Sequence, residues 1–163
     1  MKVVTAPHRI TFRGKVNIFL AGSIEMGEAT EWQKEAIGMF QSRIPSENQE
    51  HYQILNPRRP DWDSNWKQEY ENPQFSQQVR WELNALNEAD VVLFYFDPAT
   101  KSPISLLELG RYYDKAVVVC PEGFWKKGNI DIFCEENDLS QFSTLEEAVT
   151  KIVNQIEKDE PWS

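Results

Sequence analysis

The chain has 163 residues, with 17 Lys and Arg against 26 Asp and Glu and a formal net charge of -9. That length is about one ordinary domain with room for a core, and the acidic balance argues against a grip on nucleic-acid polymers, whose footprints are basic. Two cysteines, Cys120 and Cys134, are too few for a disulfide framework or a zinc cluster. No apolar run approaches the 18 or so residues that cross a bilayer, and the N-terminus lacks the apolar core of a signal peptide, so a cytoplasmic location without membrane contact is expected. Aromatic residues make up 12% of the chain and six are Trp, which suggests a small-molecule site more than a scaffold.

In chain order, Val16 to Ala21 reads as a buried strand entering a turn at Gly22-Ser23. From Glu28 to Arg43 the apolar positions Trp32, Ala36, Ile37, Met39 and Phe40 fall at helical spacing, continuing to Ile44. A short strand, Tyr52 to Leu55, stops at Asn56-Pro57 and leads into a polar, aromatic loop up to about Pro73. Phe75, Val79, Leu83 and Leu86 predict a second helix whose apolar stripe uses spacings of three and four. The strongest strand signal follows, Asp90 to Phe96, and then a third helix opened by Ser102 as N-cap and Pro103 at the first helical position. Ala116 to Cys120 is a further strand, and Thr144 to Glu147 has the form of a capping box ahead of a last helix. Continuously apolar strands separated by helices imply a parallel sheet covered on both faces, here a single flavodoxin-like, doubly wound α/β domain with its core from about 16 to 157. Ligands in such sheets sit beyond the carboxyl ends of the strands where strand order reverses, which directs attention to the turns at residues 22–27 and 97–108.

Gly22, Ser23 and Ile24 open the first of these turns, which reads either as a plain structural turn or as one that brings backbone amides to a ligand. It lacks the spacing of a dinucleotide fingerprint. Glu108 lies among leucines in Ser105-Leu-Leu-Glu-Leu-Gly110; partial burial would raise its pKa, the nearby helix N-terminus opposes that, and the alternative is an exposed helix Glu. Glu82 falls on or beside the apolar stripe of the second helix, either at its margin or functional. Two such carboxylates could supply a nucleophile and a general acid/base, the arrangement that cleaves glycosidic bonds. Asp97 stands where it could hydrogen-bond a sugar hydroxyl, or simply open an Asp-Pro turn. In the long loop, Asp61 and Trp62 are candidate substrate contacts; Trp62 or Trp66 could stack on a base and Arg58 or Arg59 pair with a phosphate, unless the tryptophans only anchor the loop. His8 and His51 have no metal-ligand partners at useful spacing, so neither a metal nor another cofactor is expected.

The stretches Phe19-Leu-Ala-Gly-Ser-Ile24, Trp81-Glu-Leu with Ala89-Asp-Val-Val92, and Leu107-Glu-Leu-Gly110 resemble the nucleoside 2-deoxyribosyltransferases and their nucleotide N-glycosidase relatives, over roughly Val16 to Asp131. The resemblance implies a flavodoxin-like fold assembled as homodimers or larger homo-oligomers, and a double displacement at the anomeric carbon of a nucleoside or nucleotide that releases free base. It implies Glu108 as nucleophile and places Glu82 where the family usually has a proton-transferring aspartate. Ser102 matches a position that is aspartate in the nucleoside transferases and serine in the nucleotide hydrolases, and Gly22-Ser23-Ile24 resembles the hydrolases' phosphate turn; both point to a 5'-monophosphate. Asn129 matches a position that the family lends to a neighbouring subunit's pocket. Base exchange, hydrolysis alone, and a nucleotide-sensing module without turnover are the readings this leaves open.

Overall fold

A computed structural model describes residues 1–12, 15–24, 29–63 and 65–158. Six strands, β1 (Lys2–Thr5), β2 (Val16–Gly22), β3 (Tyr52–Asn56), β4 (Val91–Tyr95), β5 (Ala116–Val119) and β6 (Ser140–Phe142), form one sheet in the order β1-β3-β2-β4-β5-β6. Every neighbouring pair is parallel. Five helices accompany them, four between strands and the last after β6: α1 (Trp32–Arg43), α2 (Pro73–Glu88), α3 (Pro103–Tyr112), α4 (Lys127–Glu136) and α5 (Leu145–Glu157). Strand order reverses between β2 and β4, so the switch point of this flavodoxin-like fold is where Gly22 pairs with Tyr95.

Alternation along the strands sorts side chains onto two faces. Ile18 and Leu20 of β2, Val91 and Leu93 of β4, and Val117 and Val119 of β5 pack with α1 and α5. Phe19 and Ala21, Val92 and Phe94, and Ala116 and Val118 pack on the other face with Trp81 and Leu86 of α2, Leu109 of α3 and Ile130 of α4. Both faces are therefore dry, which explains why the central strands read as unbroken apolar runs. Helix α5 starts with the capping box expected at Thr144 and Glu147.

Several elements depart from the sequence expectation. Helix α1 begins at Trp32, because Thr30 gives its backbone N–H and its hydroxyl to Asp97 instead of to a helical turn. The buried face of α2 is Gln78, Trp81, Ala85 and Leu86, rotated from the expected stripe, and Leu83 is left outside. β1, α4 and β6 were not foreseen. β1 is four residues at the sheet edge, β6 is three half-buried residues without an apolar core, and the first turn of α4 holds Gly128 and Asn129, both poor helix formers. Ser102 does stand at the N-cap of α3, but in the left-handed region at φ 47° and without a side-chain cap bond. Its hydroxyl is used elsewhere.

Candidate active site at the switch point

The approach of β2 to β4 dictates Gly22. Its φ is +142°, and a Cβ there would lie 2.8 Å from the Tyr95 nitrogen and closer still to the Tyr95 oxygen. The glycine is thus required by strand packing before any ligand is considered. Ser23 follows, with its N–H donating to Tyr95 O at 3.0 Å and its carbonyl accepting from the buried Trp32 Nε1 at 2.9 Å. The Trp32 ring stacks on Tyr95 with centroids 5.2 Å apart, so the turn is clamped from the α1 side.

Three hydroxyls meet beneath the turn. Ser23 Oγ and Ser102 Oγ are 2.5 Å apart, Thr100 Oγ1 donates to Ser23 Oγ at 2.7 Å and lies 2.8 Å from Ser102 Oγ, and Asp97 N donates to Ser23 Oγ at 2.9 Å. All three residues are buried. Asp97 is buried as well: its Oδ2 accepts from Thr30 N at 2.8 Å and Thr30 Oγ1 at 3.1 Å, and its Oδ1 accepts from Ala99 N at 2.9 Å. The carboxylate therefore ties the β4 turn to the segment before α1, as an Asx-turn residue does. Ile24 is half-buried at the end of this described segment, and Glu25, Met26 and Gly27 of the sequence turn lie outside the described residues.

The two carboxyl groups singled out in the sequence come from adjacent helices on the Phe19–Phe94 face. Phe19 meets Trp81 of α2 with centroids 6.4 Å apart, Trp81 Nε1 donates to His8 O at 2.8 Å, and Tyr112 of α3 donates its hydroxyl to Asn87 Oδ1 of α2 at 3.0 Å. Glu82 is half-buried, and its Oε1 accepts from Gln78 Nε2 at 2.8 Å; Gln78 in turn donates to Pro57 O at 2.8 Å. Burial, opposed by that hydrogen bond, raises the Glu82 pKa to about 7. Glu108 is also half-buried, and burial, reinforced by the negative charge of Glu82, raises it to about 8. Desolvation thus outweighs the pull of the α3 N-terminus. The two carboxyl groups therefore titrate as a coupled pair, the charge of one opposing ionisation of the other. A pair of this kind holds one proton near neutrality, the state in which one oxygen can attack while another carries an acid proton.

The remaining sequence candidates have other surroundings. Asp61 is exposed and pairs with Arg59 through two bonds, Nε to Oδ1 at 2.8 Å and Nη2 to Oδ2 at 2.7 Å, which holds its carboxyl below the usual range. Trp62 is half-buried and meets Trp66 edge-on at 5.1 Å, and Arg59 sits 5.0 Å over the Trp66 ring, so the long loop packs on itself. Asn129 is exposed on the first turn of α4. Sequence reasoning missed Thr30, Trp32, Thr100 and Gln78 as parts of the site. Only Gln78 carried a signal, four residues before Glu82 on one helix face.

The fold and site define a class: a flavodoxin-like α/β domain whose switch point carries a hydroxyl cluster and whose adjacent helices set two desolvated carboxyl groups against each other. The model of the nucleoside 2-deoxyribosyltransferase-like family matches residues 15–124, well over half of the chain, and the chain belongs to that family. No curated protein matches it at a significant level. Within the matched region, Asp90 of the Ala-Asp-Val-Val element has a structural job. Its Oδ2 accepts from Asn17 N at 2.7 Å and from Asn17 Nδ2 at 3.2 Å, fastening the start of β4 to β2. Among the described residues no helix is long and apolar enough to cross a membrane.

Proposed function

We propose that the protein cleaves the N-glycosidic bond of a 2'-deoxynucleoside or its 5'-monophosphate, with Glu108 as nucleophile and Glu82 as general acid. The observation that carries this reading is the interacting pair of raised carboxyl groups, at about 7 and about 8, between α2 and α3. In the reactive state the single proton resides on Glu82. The Glu108 carboxylate attacks the anomeric carbon, the carbon–nitrogen bond breaks with its electron pair going to the base, and the Glu82 proton neutralises the departing nitrogen. A water, or the nitrogen of a second base, then attacks the glycosyl ester from the opposite face. Glu82 takes the proton from this second nucleophile, and Glu108 leaves as carboxylate. The hydroxyls of Ser23 and Ser102 belong in this scheme to the 5'-end of the substrate, together with Gly22 and Ile24 of the turn. Asp97 orders that turn, while Asp61, Trp62 and Asn129 are assigned to the base and its surroundings.

The homo-oligomer implied by the resemblance finds support in the apolar side chains that α3 leaves in solvent just before Glu108. Ile104 is 62% and Leu107 70% exposed. Trp125, also exposed, is tied to the start of the same helix by its Nε1 bond to Lys101 O at 3.0 Å. Light scattering on the purified chain measures the assembly directly, and a monomer would remove this part of the reading.

The deciding assay incubates the protein with deoxynucleosides and with deoxynucleoside monophosphates, each with and without an acceptor base, and follows free base and exchanged nucleoside by chromatography. Base release from either class that Glu108→Ala abolishes supports the mechanism. Release from neither class overturns it, as does an active Glu108→Ala protein.

A further inference from the structure

A cleft of about 580 Å³ opens at the β1–β3 edge of the sheet, walled by Val3 of β1, Gln33, Lys34 and Ile37 of α1, and Arg58 and Arg59 after β3. That volume is in the range of small-molecule sites. It lies on the α1 face, whereas α2 and α3, which carry Glu82 and Glu108, pack on the other. In a chain of net charge -9, three cationic side chains line this one cleft against a single acid, Glu31.

Two buried donors in its wall have no acceptor among the described residues: Gln33 Nε2 and Arg59 Nη1. Gln33 is 1% exposed and Arg59 8%. The Gln33 amide cannot be turned to hide the deficit. Its Oε1 already accepts from Arg58 Nη1 at 3.3 Å, and a flipped amide would set N–H against N–H. The Arg58 guanidinium is anchored further by donating to Thr30 O at 2.8 Å. Asp61 occupies Nε and Nη2 of Arg59 and leaves Nη1 unanswered. Buried donors in native proteins almost always find acceptors, and here both residues with an unanswered donor line the same concave surface as the positive charges. The complement is a compact anion rich in acceptor oxygens.

We propose that this cleft is a second ligand site, distinct from the carboxylate pair, that binds a phosphate monoester. The phosphoryl oxygens accept from Arg59 Nη1 and Gln33 Nε2 and pair with Lys34, and the organic part rests on the apolar wall of Val3 and Ile37. Arg58, fixed by Thr30 and Gln33, holds the amide in its donating orientation and adds positive charge.

Calorimetric titration of the full chain with inorganic phosphate and with phenyl phosphate tests this, with benzyl alcohol as the uncharged control. Both anions are expected to bind with one site per chain, phenyl phosphate more tightly and benzyl alcohol not at all. Lys34→Glu, an exposed change on α1, should weaken both at least tenfold, and Arg59→Lys should do so while keeping the charge. Lys34 has no part in the proposed reaction, so loss of binding in Lys34→Glu separates this site from the proposed catalytic one whatever the outcome of the base-release assay. Absence of anion binding overturns the proposal. So do full retention of binding in Lys34→Glu and Arg59→Lys, and benzyl alcohol binding as tightly as phenyl phosphate.

Discussion

The charge of Glu82 on α2 acts on Glu108 on α3 and helps hold the Glu108 proton up to about 8. If the productive state has one proton on the pair, kcat/KM for base release should be bell-shaped, with its maximum between about 7 and about 8. The acid limb is the first ionisation of the pair and the alkaline limb the second. Glu82→Gln removes the second ionisation and the repulsion that raises Glu108. Its residual activity should therefore rise to a plateau with no alkaline limb. A bell retained in that variant would assign the alkaline limb to another group.

The same groups make stability depend on pH. Each has an ordinary value of 4.5 and titrates in the fold at about 7 or about 8, so between these values the folded chain binds more protons than the unfolded one. Their contribution is fully present below about 4.5 and is lost as pH rises through 7 and 8. Glu108→Gln keeps the neutral shape and abolishes the charged state. Its Tm should match the parent near pH 5 and exceed it near pH 9 by roughly 5 °C. Equal Tm values at both pH values would mean that the Glu108 carboxylate is well hydrated.

Gly22→Ala should be among the most damaging single changes. The new Cβ would press on the Tyr95 backbone at a φ that other residues rarely adopt, and neither strand can retreat without breaking the central pairing. A loss of about 3 kcal/mol or more in urea unfolding is expected. A loss under 1 kcal/mol, on the order of an ordinary surface change, would show that β2 and β4 can move apart there.

Asp97→Ala strips the acceptors from Thr30 N, Thr30 Oγ1 and Ala99 N. Leaving these donors unanswered should cost about 2 kcal/mol. Asp97→Asn should recover part of that, since an amide oxygen can still accept from Thr30. Chemical denaturation of the two variants measures the difference. Equal stability of Asp97→Ala and the parent would mean that water replaces the carboxylate.

Much of the fold was legible because it rests on local periodicity. The apolar runs of β2, β4 and β5 could be read as strands buried on both faces, and the α5 cap as Thr144 with Glu147. Elements with no pattern of their own escaped. β6, Ser140–Phe142, exists because β5 offers an edge to pair with, and a three-residue segment carries no period by which to announce that.

The site divides along the same line. Sequence alone singled out Glu82 and Glu108, since a carboxylate set among leucines or on an apolar stripe is conspicuous wherever the chain goes. It also marked the turn at Gly22 and Ser23. The tertiary structure decided what those residues meet: that Gly22 answers to the Tyr95 backbone, that the Ser23 hydroxyl turns to Thr100 and Ser102, and that Glu82 and Glu108 share one electrostatic environment. Periodicity and composition are properties of neighbours along the chain. Desolvation and charge coupling arise between segments remote in sequence, and they exist only once the sheet has brought those segments together.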